Sequence, residues 1–94
     1  MPARARTIGP EVSQRVAANI REARMRRGWE MPDLSFEMTA RGYKISPAVI
    51  NSIENGIISH DGEGNAVIRV RLLTIDESAA FAEVLGVPLE ELAA

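Results

Sequence analysis

Between Ile45 and Gly56 the chain reads Ile-Ser-Pro-Ala-Val-Ile-Asn-Ser-Ile-Glu-Asn-Gly, and this stretch carries the side chains best suited to recognition. Ser46 is placed as an N-cap, its hydroxyl able to take a free backbone N–H of a first helical turn. Pro47 follows at the first helical position, where its fixed φ suits a helix and its missing N–H costs nothing. Gly56 closes the segment as the residue best able to end a helix in a left-handed conformation. Val49, Ile50 and Ile53 then share one buried face. The opposite face carries Pro47, Ala48, Asn51, Ser52 and Asn55, all short and none charged. A solvated helix face normally carries Lys and Glu, so this one implies a large partner laid against it.

Two other groups of residues fall short of a chemistry. Asp61, Glu63 and Asn65 imitate the opening of a calcium loop, but Ala66 holds the obligatory glycine position and Leu72 the bidentate glutamate position. His60 stands alone beside a turn, with no Ser or Cys partner system and no Gly-rich phosphate cradle in the sequence. Neither a metal, a cofactor nor an enzymatic activity is expected. The absence of cysteine removes disulfide and zinc-finger frameworks. No apolar run approaches a membrane span or a signal-peptide core, so a soluble, cytoplasmic chain with no membrane partner is expected.

The net charge of −2 hides a strong asymmetry. Residues 1–27 hold seven arginines (Arg4, Arg6, Arg15, Arg21, Arg24, Arg26, Arg27) against Glu11 and Glu22, a net of +5. Residues 28–94 hold Arg41, Lys44, Arg69 and Arg71 against eleven carboxylates, a net of −7. Such a chain can turn a basic face to phosphates despite its acidic total, or simply carry a solvated Arg-rich helix.

Ninety-four residues make one small domain, and the few aromatics (Trp29, Phe36, Tyr43, Phe81) favour helices over a β-sandwich. Residues 1–9 read as a flexible basic arm, and 10–94 as the folded domain. A first helix from Pro10 to Arg27 is drawn by Val12, Val16, Ile20 and Ala23, with Gly28 ending it and Trp29 as a core anchor at its exit. Met31 to Ala40 is ambiguous: Leu34, Phe36 and Met38 alternate as in a strand, whereas Pro32 and the Leu34/Met38 spacing allow a helix. Helix is preferred on context. Arg41-Gly42-Tyr43-Lys44 is a turn. Ile57–Ser59 and Val67–Arg71 permit a small β-hairpin, with an irregular loop as the alternative. Thr74-Ile75-Asp76-Glu77 is a capping box opening a helix to Leu85, with Ile75, Ala79, Ala82 and Leu85 inward. Gly86 ends it, and a last short helix follows, its Leu89 and Leu92 closing the core or making a dimer contact.

This order of elements resembles the lambda-repressor-like helix-turn-helix regulators, the Cro/C1 or XRE class, in versions like those of phage or actinobacteria. The resemblance covers about residues 12–93. It rests on Arg24 before Gly28, a helix around Leu34, the Ile53-Glu54-Asn55-Gly56 close, and Ala79-Ala80-Phe81-Ala82-Glu83-Val84-Leu85-Gly86-Val87 with Leu92 beyond. It implies an all-α, five-helix bundle with the third helix in the DNA major groove, leaving room for a small β-hairpin between helices 3 and 4. Base-facing residues would then be Pro47, Ala48, Asn51 and Ser52. Ser46 and Asn55 would lie near phosphates, and Arg24 with Glu54 would form a partly buried ion pair joining helices 1 and 3. Arg41, Tyr43 and Lys44 would add backbone contacts from a turn four or five residues longer than usual. Arg69 and Arg71 would form an arm toward phosphates or the minor groove, or else sit on the wet face of a strand. The implied function is a sequence-specific double-stranded-DNA-binding regulator, a repressor acting as a homodimer.

The sequence also departs from the family. Pro47 and Ala48 can offer only apolar contacts, leaving Asn51 as the one side chain able to address an adenine through two hydrogen bonds. Glu30 and Met31 stand where Ser or Thr and then Gln are usual, and a carboxylate cannot hold a phosphate. These departures favour the alternative, a protein-interaction module or antitoxin-like partner that keeps the fold without reading bases.

Overall fold

The computed structural model describes residues 6–94. Five helices and a two-stranded antiparallel ribbon follow in the order α1 (Pro10–Arg26), α2 (Met31–Ala40), α3 (Pro47–Asn55), β1 (Ile57–His60), β2 (Ala66–Arg69), α4 (Ile75–Leu85) and α5 (Leu89–Leu92). Among the described residues no helix is long and apolar enough to cross a membrane.

The core takes Val16 and Ile20 from α1, Leu34 and Met38 from α2, Ile50 from α3, Leu73, Phe81 from α4 and Leu92 from α5, all fully buried. The segment 31–40 is a helix, which removes the conflict raised by its alternating pattern: Phe36, between the two inward residues Leu34 and Met38, is 71% exposed. Leu34 and Met38 lie one helical turn apart and meet the core together.

The expected inward set of α4 is corrected. Ile75 is 54% exposed and Ala79 lies on the surface, while Ser78, Ala80, Phe81, Ala82, Val84 and Leu85 are buried. Ser78 tolerates burial because its hydroxyl donates to the Thr74 carbonyl at 3.0 Å. That frees Phe81 to set the helix's roll. The capping box is present, with the Thr74 hydroxyl accepting from Glu77 N at 3.0 Å and the Glu77 carboxylate accepting from Thr74 N at 2.9 Å.

Of the basic arm expected at residues 1–9, residues 1–5 lie outside the described residues, and Thr7 and Ile8 are tied to the fold. Ile8 donates from its amide to the Leu73 carbonyl at 2.8 Å, beside a bridge of Thr7 with Thr74. Ser13, buried, completes the join: its hydroxyl donates to Ile8 O at 3.2 Å and accepts from Leu73 N at 3.1 Å. At the other end, the Asn19 amide donates to Leu92 O at 2.8 Å and Ala94 O at 3.0 Å, fastening the last helix to α1. Leu92 closes the core, whereas Leu89 is 36% exposed.

The ribbon pairs Ile57 with Arg69, Ile58 with Ile68, Ser59 with Val67 and His60 with Ala66. Its ladder stops at Arg69, two residues short of the expected Arg71. Beyond it Arg71 donates from Nη2 to Glu77 Oε2 at 3.1 Å, and the chain turns toward buried Leu73. At the tip, Asp61 Oδ1 accepts from the amides of Glu63 and Asn65, both at 2.9 Å. These bonds hold the Asp61 carboxyl below its ordinary value.

Candidate functional site

Helix α3 presents one face to the core and one to solvent, and each is fixed by identifiable contacts. The Ser46 hydroxyl accepts from Val49 N at 3.2 Å, so the helix starts where its cap dictates. Ile50 and Ile53 are buried. Upstream, the Ser35 hydroxyl donates to Ile45 O at 2.6 Å and Tyr43 N donates to Met38 O at 2.9 Å, so the turn between α2 and α3 is held at both ends.

The roll of α3 about its axis is set by Arg24 and Glu54. Arg24 donates from Nε to Glu54 Oε2 at 2.9 Å and from Nη2 to Oε1 at 2.8 Å, a two-pronged ion pair. Its remaining Nη1 donates to Trp29 O at 2.7 Å. The Glu54 side chain is 1% exposed. The hydrogen bonds it donates to Glu54 raise the Arg24 pKa, against the opposing effect of burial, so the guanidinium stays charged. With its carboxylate neutralised inward, α3 presents no negative charge on its outer face.

That outer face consists of Pro47, Ala48, Asn51 and Asn55, exposed, with Ser52 half-buried beside them. Asn55 Nδ2 donates to Asn51 Oδ1 at 2.7 Å. The bond leaves Asn51 with a second lone pair on Oδ1 and both Nδ2 protons, the donor–acceptor edge that an adenine's N7 and N6 group would match. The Ser52 hydroxyl donates to Ala48 O at 3.1 Å and so meets the outside as an acceptor. The face can therefore recognise by hydrogen bonds and methyl contacts.

The flanking residues are divided. Lys44 and Arg69 are exposed, and with Arg21 they form no salt bridge among the described residues. Arg41 instead pairs with Glu37 at 3.1 Å along α2. Tyr43 donates its hydroxyl to Glu83 Oε2 of α4 at 2.5 Å, which raises the Tyr43 pKa. Arg71 does not join Arg69 in an arm, being half-buried against Glu77. Several N-terminal arginines serve the fold as well: Arg27 donates to Leu85 O at 2.9 Å while lying 4.8 Å from the Trp29 ring centroid. Trp29 thus carries a cation on its half-buried ring. Glu30 precedes α2, its amide donating to Asp33 Oδ2 at 2.8 Å.

One feature was not signalled by any local motif. A groove of about 620 Å³ runs between α1 and β2, with Ala17, Ala18, Arg21 and Met25 on one wall and Ile68 and Val70 on the other. Its only trace in the sequence is unspent apolar residues: Met25 falls on the polar side of α1, and Ile68 on a strand with no sheet to cover it.

No protein-family model matches the chain, and no curated protein or solved structure matches it.

Proposed function

We propose that this chain is a sequence-specific double-stranded-DNA-binding regulator of the lambda-repressor-like helix-turn-helix class, a repressor that reads operator half-sites with α3. The reading is carried by one observation: a helix whose charged residue is neutralised inward by Arg24, leaving an uncharged outer face of exposed Pro47, Ala48, Asn51 and Asn55 with Ser52 half-buried beside them. In this reading Asn51 addresses an adenine, while Pro47 and Ala48 meet thymine methyls. Lys44 and Arg69, with Ser46 at the helix start, meet phosphates.

A second reading, a protein-binding module built on the same helices, is favoured by the fate of the side chains expected at phosphates. Arg41, Arg71 and Tyr43, each expected at the DNA backbone, bond to Glu37, Glu77 and Glu83. Salt separates the two readings. A DNA complex loses affinity on rising salt with a log–log slope of about −0.9 for each phosphate neutralised. A flat response, or binding to no duplex at all, would select the protein partner.

A further inference from the structure

The ribbon is the element least accounted for by contacts within the molecule. Ile58 and Ile68 stand directly opposite each other in the ladder, hence on one face, and are 67% and 70% exposed. A two-stranded ribbon is marginal by itself in water, and a contiguous exposed apolar patch marks a contact surface. Ile68 also lines the groove against α1, so this apolar face runs from the groove outward to Ile58. Across the groove, Met25 is 59% exposed.

Charge identifies the occupant. The ribbon tip carries Asp61 and Glu63, whereas the groove is lined by Arg21, Arg26 and Arg69; of the carboxylates beside them, Glu54 is neutralised by Arg24 and Glu22 lies 4.0 Å from Arg26 in an exposed pair. An acidic tip is repelled by phosphate, which argues against DNA as the partner of this face. An apolar ribbon with an acidic tip and an apolar groove with a basic rim occur on the same chain. Two copies related by a two-fold axis would satisfy both surfaces at once.

The geometry points to a homodimer in which the ribbon of each copy lies along the α1 groove of the other, Ile58 and Ile68 against Met25, and the Asp61/Glu63 tip against Arg21 and Arg26. This deepens the proposed function by naming the surface that sets half-site spacing, and it is measured without DNA so that the two stand or fall separately. A chain that binds operator DNA but never pairs overturns the dimer alone; a ribbon dimer without DNA affinity overturns only the regulator.

The test is sedimentation equilibrium of the full chain over a concentration series. The expected result is a reversible dimer with a Kd below about 100 μM. Ile58→Ser combined with Ile68→Ser abolishes it while leaving the helical circular dichroism unchanged, since both side chains are exposed. Glu63→Lys weakens pairing about tenfold, as does Arg21→Glu with Arg26→Glu, and all three together restore it, a rescue that misfolding cannot imitate. A wild-type monomer at about 1 mM overturns the inference. So does a dimer indifferent to the isoleucine pair, or charge changes that add instead of cancelling.

Discussion

Asn55 Nδ2 donates a 2.7 Å hydrogen bond to Asn51 Oδ1 on a face with no competing charge, and this local geometry carries the most specific expectation. Replacing Asn51 by Ala should cost about 1–3 kcal/mol of discrimination at one base position, whereas Arg69→Ala should weaken binding to all duplexes alike. Competition titrations with single-base-pair operator variants measure both, and an equal loss on every duplex for Asn51→Ala would remove it as a base reader. Beneath that face, Arg24 and Glu54 make a contrasting expectation about stability. Glu54→Ala leaves a buried guanidinium without its partner and should cost about 3 kcal/mol in urea unfolding, against at most about 0.5 kcal/mol for Arg41→Ala at the exposed Arg41–Glu37 pair. Similar costs at the two sites would mean that the buried pair does not fix α3. Residue roles of this kind were unevenly legible in the sequence. The N-cap at Ser46 and the apolar Ile50/Ile53 face follow from neighbours within a turn. Tyr43 bonding Glu83 could not be read this way, because forty positions separate the two and only the packing of α2 against α4 brings them together.

Among the elements, the ribbon depends on a single backbone position. Gly56 has φ +84°, and a Cβ there would sit 2.8 Å from the Arg69 carbonyl oxygen and 2.9 Å from Ile68 Cγ2. Gly56→Ala should therefore destabilise the protein by more than about 1 kcal/mol and loosen the ribbon first, seen as faster amide exchange at the β1–β2 ladder than in α1. Unchanged exchange in the ladder would show that the ribbon does not lean on this residue. At α4, burial pushes the Glu77 pKa up, but the Thr74 amide and the Arg71 guanidinium outweigh it and leave it below the ordinary glutamate value. A lowered carboxylate pKa stabilises the fold above the unfolded-state value and ceases to do so as pH falls through the folded one. The stability gap between wild type and Glu77→Gln should thus narrow on acidification from about pH 5 to about pH 3; a constant gap would contradict the pairing. The elements most legible in the sequence were those with their own boundary chemistry, Ser46-Pro47 and Thr74-x-x-Glu77. Those settled by tertiary contacts were not: α2 alternates like a strand because exposed Phe36 falls between two inward residues, and α4 turns on Phe81 because Ser78 can satisfy its hydroxyl internally.

For the molecule as a whole, the proposed DNA binding requires a chain of net charge −2 to meet a polyanion. The asymmetry between the basic first 27 residues and the acidic remainder was plain in the sequence, but its meaning was not. Arg24 and Arg27 are tied to Glu54 and Leu85, so part of the positive charge stabilises the fold and is not offered to phosphate. Beside α3, Lys44 and Arg69 are exposed and form no salt bridge among the described residues, so this face supports only a few phosphate contacts, and the salt slope should be correspondingly shallow, about −2 to −4 on the log–log scale. The most direct test is selection of binding sequences from random duplex DNA with the full chain, followed by titration of the enriched site against a scrambled one. If α3 reads bases, the enriched motif contains an adenine whose preference is lost with Asn51→Ala, and it is bound at least about a thousandfold more tightly than scrambled DNA. Enrichment of no motif, or equal affinity for both duplexes, would contradict the claim that α3 reads bases.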